Sequence, residues 1–492
     1  MVEKLVTAPV VVGAPRRVSL SADALFAFDK SAPEHLQDIA HLFGLGAAPP
    51  QRTRVLELGC AWGGNLVPFA ARYPQAHAVG VDLSWVQIAE SRQNIERQDL
   101  TDVDLKNLNL EQIDASLGEF DYTICHGVYS WVPPTVQAAI LRICADNLAP
   151  DNVAYVSYNT CPGWKARKIV RDVMLLRSAD QGTSAEKLAY ARGMVDFLHD
   201  MSQQGSVLRK TLDEAQALIK NAKNSYLIHE FLEPCNAPCY FKDFLAAAQT
   251  RQLAYLADAT PPTMFVSNFG VKVAEPLLRE CGGSQVMMEQ YLDFVLNRPF
   301  RQTLLVKQPR ASSIRCQLDN ARQVAFQFAA CIRCDSPLTL DAIPQACRTL
   351  QGVNLTLRTP LHKAVAMALS EHFPSTVTAQ GLAQDAGRRL DQPAEVLLPV
   401  VLSMLNDLIV AGAVRYCLSA VSVPNVVPAQ PQATALARHA ALPEESADQA
   451  VMVFQHLARQ CQADPGAALH RQAPLNRCQI GPCKTTTPPT IA

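Results

Sequence analysis

Two acids flanking a turn of small residues are the part of this chain best suited to do chemistry. The stretch VLELGCAWGGN, Val55 to Asn65, sets Glu57 ahead of Gly59, Cys60, Ala61 and Gly63 and closes on Asn65, and VGVDLS then delivers Asp82 and Leu83. Small residues let a ligand approach the backbone at a helix N-terminus. An acid at the carboxyl end of the next strand can accept hydrogen bonds from a ribose diol. The pair therefore predicts a site for a ligand that carries a nucleoside.

Two kinds of cofactor use this layout. A dinucleotide needs G-x-G-x-x-G, and Gly59, Ala61 and Gly64 fill it with alanine where pyrophosphate requires the closest approach. Glu57 also places negative charge by the turn, which suits an ammonium and a sulfonium better than phosphates. The residues point to S-adenosylmethionine, with Glu57 orienting the methionine ammonium, Asp82 holding the ribose, and Asn109 and Leu110 meeting the adenine. An asparagine oxygen can accept a bond from the adenine amine. No NPPY or DPPY tetrapeptide follows the fourth strand, which argues against transfer to a planar amide or to adenine.

A third segment, FDYTICHGVYSWVPP from Phe120 to Pro134, runs from a strand into a turn rich in aromatics. His126, Tyr129, Trp131 and, further on, Tyr158 are the candidate catalytic residues, and His126 is also a candidate cofactor contact. An amine acceptor must lose a proton before attack; desolvation among aromatics favours that, and His126 or Tyr129 is placed to take the proton through water. Core packing of the aromatics and a backbone bond to His126 are the plainer alternatives.

The elements that must hold these residues are strands at Val55–Leu58, Ala76–Val81, Val103–Leu108, Phe120–Cys125 and Asn152–Tyr158, with helix-compatible residues from Asn65 to Tyr73. They predict an α/β, doubly wound Rossmann-like sheet over residues 51–160, after an N-terminal helical extension over residues 1–50. Apolar positions such as Ile169, Val173 and Leu176 at helical spacing predict a helical insertion at 161–235. Over 236–310, a helix at Phe241–Thr250, a strand at Leu253–Leu256 and an antiparallel strand at Gln302–Val306 would complete the sheet. Helical patterns at Leu361–Leu369, Thr378–Gly387 and Ala394–Ile409, then a strand at Ala413–Leu418, predict a winged-helix-like α+β domain over 311–420. VSVPNVVPAQPQ, Val421 to Gln432, reads as a linker, followed by a helix at Glu445–Gln462 and a disordered tail from Ala463.

The chain resembles the class I methyltransferases that carry a methyltransferase regulatory domain, which include the rickettsial protein-lysine methyltransferases. The resemblance is carried by ELGC and GGN in the first turn, HGVYSWVP from His126, SYNTCPGW from Ser157, YLIHEFLEPCNAPCYFKDFLAAA from Tyr226, and EQYLDF and NRPFRQTLL between Glu289 and Leu305. It covers roughly residues 35 to 310 and more faintly the rest. It implies S-adenosylmethionine as cofactor and a lysine amine of a protein as acceptor. A small-molecule acceptor, or a cofactor-binding regulatory protein without turnover, are the alternatives. The chain departs from the family at LFAFDKSAPEHL, Leu25 to Leu36, where members tend to carry a tyrosine- and proline-rich element.

Composition narrows the partners. A length of 492 residues allows about three domains. The net charge is −1, and residues 51–160 hold 7 basic against 13 acidic side chains, so the nucleotide-binding unit would repel a phosphate backbone and attract a cationic partner. Residues 160–224 reverse this, with 11 basic against 7 acidic, which reads as a solvated helical face. Residues 361–420 hold 4 basic and 5 acidic side chains, short of a DNA-binding footprint. A protein substrate is expected, a homodimer is left open, and nucleic acid is not expected. No apolar window suggests a membrane span and Met1 is not followed by a secretory pattern, so a cytoplasmic location is expected. Of the 15 cysteines most should be free thiols, and neither Cys331 with Cys334 nor Cys235 with Cys239 has the second pair of a zinc site. No metal is expected.

Overall fold

The computed structural model describes residues 28–423; residues 1–27 of the N-terminal extension, most of the expected linker, the helix at Glu445–Gln462 and the tail lie outside them. Seven strands form one sheet: β1 (Arg54–Leu58), β2 (His77–Asp82), β3 (Val103–Asn107), β4 (Phe120–Cys125), β5 (Leu148–Asn159), β6 (Leu253–Asp258) and β7 (Phe300–Lys307), in the order β3-β2-β1-β4-β5-β7-β6. The first five are parallel, and β7 runs antiparallel between β5 and β6. The chain moves outward from β1 to β3 and returns to place β4 on the other side. The carboxyl ends of β1 and β4 therefore flank the crevice where open α/β sheets bind ligands.

Burial on both faces explains why these strands are nearly continuous apolar runs. Alternation then sends successive residues to opposite layers. Val55, Tyr122, Tyr155 and Leu304 pack on one face with Leu36, Ile39 and Phe43 of the helix Pro33–Leu42 and the loop after it. Leu56, Leu58, Val156, Tyr158 and Leu305 pack on the other with Phe241 and Phe244 of the helix Phe241–Gln249.

The segment between β5 and β6 carries helices Gly163–Ser178, Ser184–Met201 and Val207–Asn221, whose Val170, Met174, Leu188, Val195 and Leu212 form a separate apolar cluster. Thr183 and Glu186 close a reciprocal capping box at the start of the second helix, and Ser206 caps the third. The helical insertion expected at 161–235 is thus built of separate helices, broken at two capped turns.

The region completing the sheet is locked by buried charge. Arg301 on β7 donates to Asp293 at 2.8 Å and to Glu289 at 3.0 Å, and Arg298 reaches Asp293 at 3.0 Å and Asp258 at 3.5 Å. The Tyr255 hydroxyl adds a bond to Glu289 at 2.8 Å. The EQYLDF and NRPFRQTLL segments therefore supply the two halves of one ion network.

Beyond residue 311, helices Pro360–His372, Ala379–Leu390 and Ala394–Val410 pack on a small antiparallel sheet of β8 (Gln327–Ala329), β12 (Val377–Thr378) and β13 (Arg415–Cys417), the winged-helix-like α+β arrangement expected. A second small sheet, β9 (Ile332–Cys334), β10 (Gln345–Thr349) and β11 (Asn354–Leu357), was not foreseen. It corrects the cysteine reading at one place: Cys334 and Cys347 face each other across β9 and β10 and form a disulfide, while ten other described cysteines are free. That bond removes Cys334 from any ligand pair with Cys331. Among the described residues no single helix is long and apolar enough to cross a membrane.

Candidate functional site

The turn after β1 owes its shape to three residues with positive φ. Gly59 sits at φ 74°, and a Cβ there would meet Val128 Cγ2 at 2.4 Å. Gly63 sits at φ 75°, with Ser91 Oγ where a Cβ would go. Between them Ala61 holds φ 48°, a conformation that costs a non-glycine residue about 1 kcal/mol or more. Asp82 offsets this strain: its Oδ2 accepts the Ala61 N–H at 2.9 Å, while Oδ1 accepts that of Ser84 at 2.8 Å. Alanine in the second glycine position is thus accommodated rather than disruptive.

Glu57 is the most constrained charge of the turn. It is buried at the end of β1; Oε1 accepts from Asn65 Nδ2 at 2.6 Å, and Oε2 is buried with no hydrogen-bond partner. Burial pushes its carboxyl up to about 8, the bond from Asn65 pulling the other way and the Asp82 charge adding to the rise. An unpaired carboxylate oxygen in an apolar wall is costly alone and well matched to an ammonium. The Asn65 Oδ1 in turn accepts the Phe28 N–H at 2.8 Å, tying the N-terminal segment to the turn. Cys60 is buried beneath it, and burial pushes its thiol far up, which leaves it a packing group.

At the ends of the neighbouring strands, Leu83 and Trp85 are exposed, and Asn107 donates to the carbonyls of Asp82 at 3.0 Å and Leu83 at 2.8 Å. Asn109 caps a short turn at Leu110–Gln112, its Oδ1 accepting from Glu111 N at 3.0 Å. One lone pair of that oxygen remains available. Leu110 is buried in the apolar layer below.

The four candidate catalytic residues, three after β4 and Tyr158 on β5, fall into different surroundings. His126 sits just past the carboxyl end of β4: the Phe28 ring lies tilted over it with centroids 4.0 Å apart, and Nδ1 lies 2.8 Å from the Tyr155 hydroxyl. Its Nε2 is buried without a partner, and burial lowers the imidazole to about 4. Tyr129 and Tyr158 instead enter the core, with Tyr129 edge-on to Phe244 at 5.2 Å and Tyr158 stacked on Phe244 at 4.1 Å and bonded to Thr303 at 3.0 Å. Burial pushes both phenols up, the wrong direction for a base. Trp131 remains half-buried, edge-on to Trp164 at 6.2 Å and 4.7 Å from the His229 ring.

His229 was not singled out from the sequence. It lies in a π-helical turn, Ile228–Leu232, inside the YLIHEFLE segment, and such turns recur at functional sites. Burial lowers its pKa against the opposing charges of Glu230 and Glu233, which keeps the ring neutral. Phe28, Tyr155, Ser157 and Gln302 were also missed. Among the described residues no group of three or more acids, cysteines or histidines is placed to hold a metal.

A glycine-bearing turn at the switch point of this sheet, flanked by Glu57 and Asp82, is the arrangement of a class I S-adenosylmethionine-dependent methyltransferase. Comparison with known proteins agrees along most of the chain. Residues 55–151 match the family described as "Methyltransferase domain" and residues 223–307 the one described as "Predicted methyltransferase regulatory domain". Uncharacterized protein RP028 of Rickettsia prowazekii is 37% identical over 47% of this chain and 93% of its own length. Uncharacterized protein RP789 of the same organism is 35% identical over 73% of this chain and 66% of its own length. The structure of PKMT2 from Rickettsia typhi in complex with AdoHcy superposes with a TM-score of 0.77 at 31% identity, covering 86% of this chain and 82% of that one. The chain belongs to the family of class I methyltransferases with a methyltransferase regulatory domain.

Proposed function

We propose that this methyltransferase acts on the ε-amine of a lysine in a protein. The observation that carries the proposal is the match to PKMT2, which extends over 86% of this chain and 82% of that one. The acidic balance of residues 51–160 favours a cationic acceptor in the same sense.

S-adenosylmethionine supplies a methyl group activated by its sulfonium, and the protein's task is alignment and exclusion of water. Glu57 takes the ammonium through Oε2, with Asn65 holding its other oxygen. Gly59, Cys60, Ala61 and Gly63 give backbone access, Asp82 receives the ribose hydroxyls, and Leu83, Asn109 and Leu110 flank the adenine. Trp131 and the neutral ring of His229 form the wall toward the acceptor, where a lysine stem packs on the indole and its ammonium gives a proton to the imidazole. Tyr129 and Tyr158 support that wall from the core. The helices of residues 161–235 cap the acceptor side.

Incubating the protein with S-adenosylmethionine carrying a deuterated methyl group and a panel of lysine-rich proteins tests this. Label on lysine, reduced at least tenfold by His229→Ala with cofactor affinity unchanged, is the expected result. Label on a small molecule alone would exclude the lysine assignment.

A further inference from the structure

The hydrogen bonds around His126 favour one tautomer of its ring. Gln302 on β7 donates from Nε2 to the Tyr155 hydroxyl oxygen at 2.9 Å, so the single phenolic proton is free to go to His126 Nδ1 at 2.8 Å. Ser157 repeats the pattern: its oxygen accepts the Gly127 N–H at 2.8 Å, and its own proton faces Nδ1 at 3.4 Å. Both hydroxyls thus face the same nitrogen, and Ser157 also bonds the Tyr155 hydroxyl. A neutral imidazole that accepts at Nδ1 carries its hydrogen on Nε2.

That Nε2–H is buried without a partner beneath the Phe28 ring, and Phe28 is itself bonded to Asn65, the residue that holds Glu57. A buried donor left unmatched is costly, and so is the unmatched Glu57 oxygen, to which it is linked through Phe28 and Asn65. The ligand that answers both has a cation and an anion on neighbouring atoms. The ammonium and carboxylate of a free amino-acid terminus share one carbon, and S-adenosylmethionine ends in that group.

We propose that Gln302 and Tyr155 are positioning residues that hold His126 as its Nε2–H tautomer, giving the site a hydrogen-bond donor for the carboxylate of S-adenosylmethionine and not a base for the acceptor. Recognition of the amino-acid end is then split between two strands, Glu57 on β1 for the cation and His126 after β4 for the anion. The assignment is independent of the acceptor's identity.

Gln302→Glu reverses the relay. A carboxylate at 302 accepts the Tyr155 proton, Tyr155 must then accept from His126 Nδ1, and Nε2 becomes a lone pair facing an anion. Nitrogen-15 NMR of histidine-labelled full-length protein, with a His126→Asn sample to assign the ring, reads the tautomer directly. Calorimetry with S-adenosylmethionine and with its decarboxylated analogue, which keeps the ammonium and sulfonium, reads the consequence. The expected result is Nε2–H in the unaltered protein, Nδ1–H in Gln302→Glu, and a roughly tenfold or greater loss of S-adenosylmethionine affinity with the analogue unaffected. Tyr155→Phe, which preserves the packed ring, should give mixed tautomers and a smaller loss for the same ligand only. Nδ1–H in the unaltered protein, no binding of S-adenosylmethionine to it, or parallel or absent changes for the two ligands would overturn the proposal.

Discussion

Replacing Glu57 by glutamine separates its cost to the fold from its value to the ligand. The carboxyl is raised to about 8, mainly by burial, so below that pH it is protonated in the ligand-free protein. An ammonium bound at Oε2 requires the charged form, and at pH 7 binding must therefore expel about 0.9 proton. Deprotonation at pH 7 costs about 1.4 kcal/mol, set against roughly 3–5 kcal/mol for breaking a buried charge pair by removing one partner. Glu57→Gln should then weaken S-adenosylmethionine binding by about 2–3 kcal/mol, or roughly 30- to 150-fold. Stability moves the opposite way. A carboxyl raised in the folded state contributes nothing unfavourable below its unfolded value near 4.5, and stability is lost as pH rises from there through about 8. Glutamine keeps the acceptor for Asn65 without that loss, so the ligand-free variant should be more stable at pH 7, by about 1–3 kcal/mol. Calorimetry in buffers of differing ionisation enthalpy counts the proton, and thermal denaturation from pH 5 to 8 follows the stability. Binding within threefold of the unaltered protein, or no proton released, would refute the reasoning.

Asp82→Ala removes the acceptor that holds both Ala61 and Ser84, and S-adenosylmethionine affinity should fall at least tenfold by calorimetry; retained affinity would move the ribose elsewhere. Gly59→Ala puts a methyl 2.4 Å from Val128 Cγ2 at a positive φ, so cofactor binding should be lost, and adding Val128→Ala should restore only the steric part. Arg301→Leu leaves Glu289 and Asp293 buried without their cation and should destabilise the chain by about 3–5 kcal/mol in denaturant titration. A loss under about 1 kcal/mol would mean those acids are neutral in the folded protein.

The sheet was legible because parallel strands buried on both faces must be apolar runs, and Val55–Leu58 and Phe120–Cys125 are such runs. The turn was legible because Glu57 and Asp82 are the acids that an apolar strand does not otherwise tolerate. The aromatics were harder. Tyr155 and Tyr158 lie on one strand three residues apart, so they point to opposite faces; the sequence drew notice to Tyr158, but Tyr158 packs in the core and Tyr155 reaches His126. Choosing between them requires the neighbour on the adjacent strand β7, where Gln302 is 147 residues away from Tyr155. The Glu289, Asp293 and Arg301 network was hidden although Asp293 and Glu289 lie only 8 and 12 residues from Arg301, since charges in a sequence read as surface until the packing of helix on strand is known. The Cys334–Cys347 bond depends on a hairpin register that the Cys331–Cys334 spacing does not signal.

Transfer itself is the most direct test. The purified full-length chain, given S-adenosylmethionine with a deuterated methyl group and lysine-rich protein acceptors, should place the label on lysine ε-amines identified by tandem mass spectrometry, and Glu57→Gln should suppress it. Tight cofactor binding with no label on any lysine, or labelling undiminished by Glu57→Gln, would contradict the account.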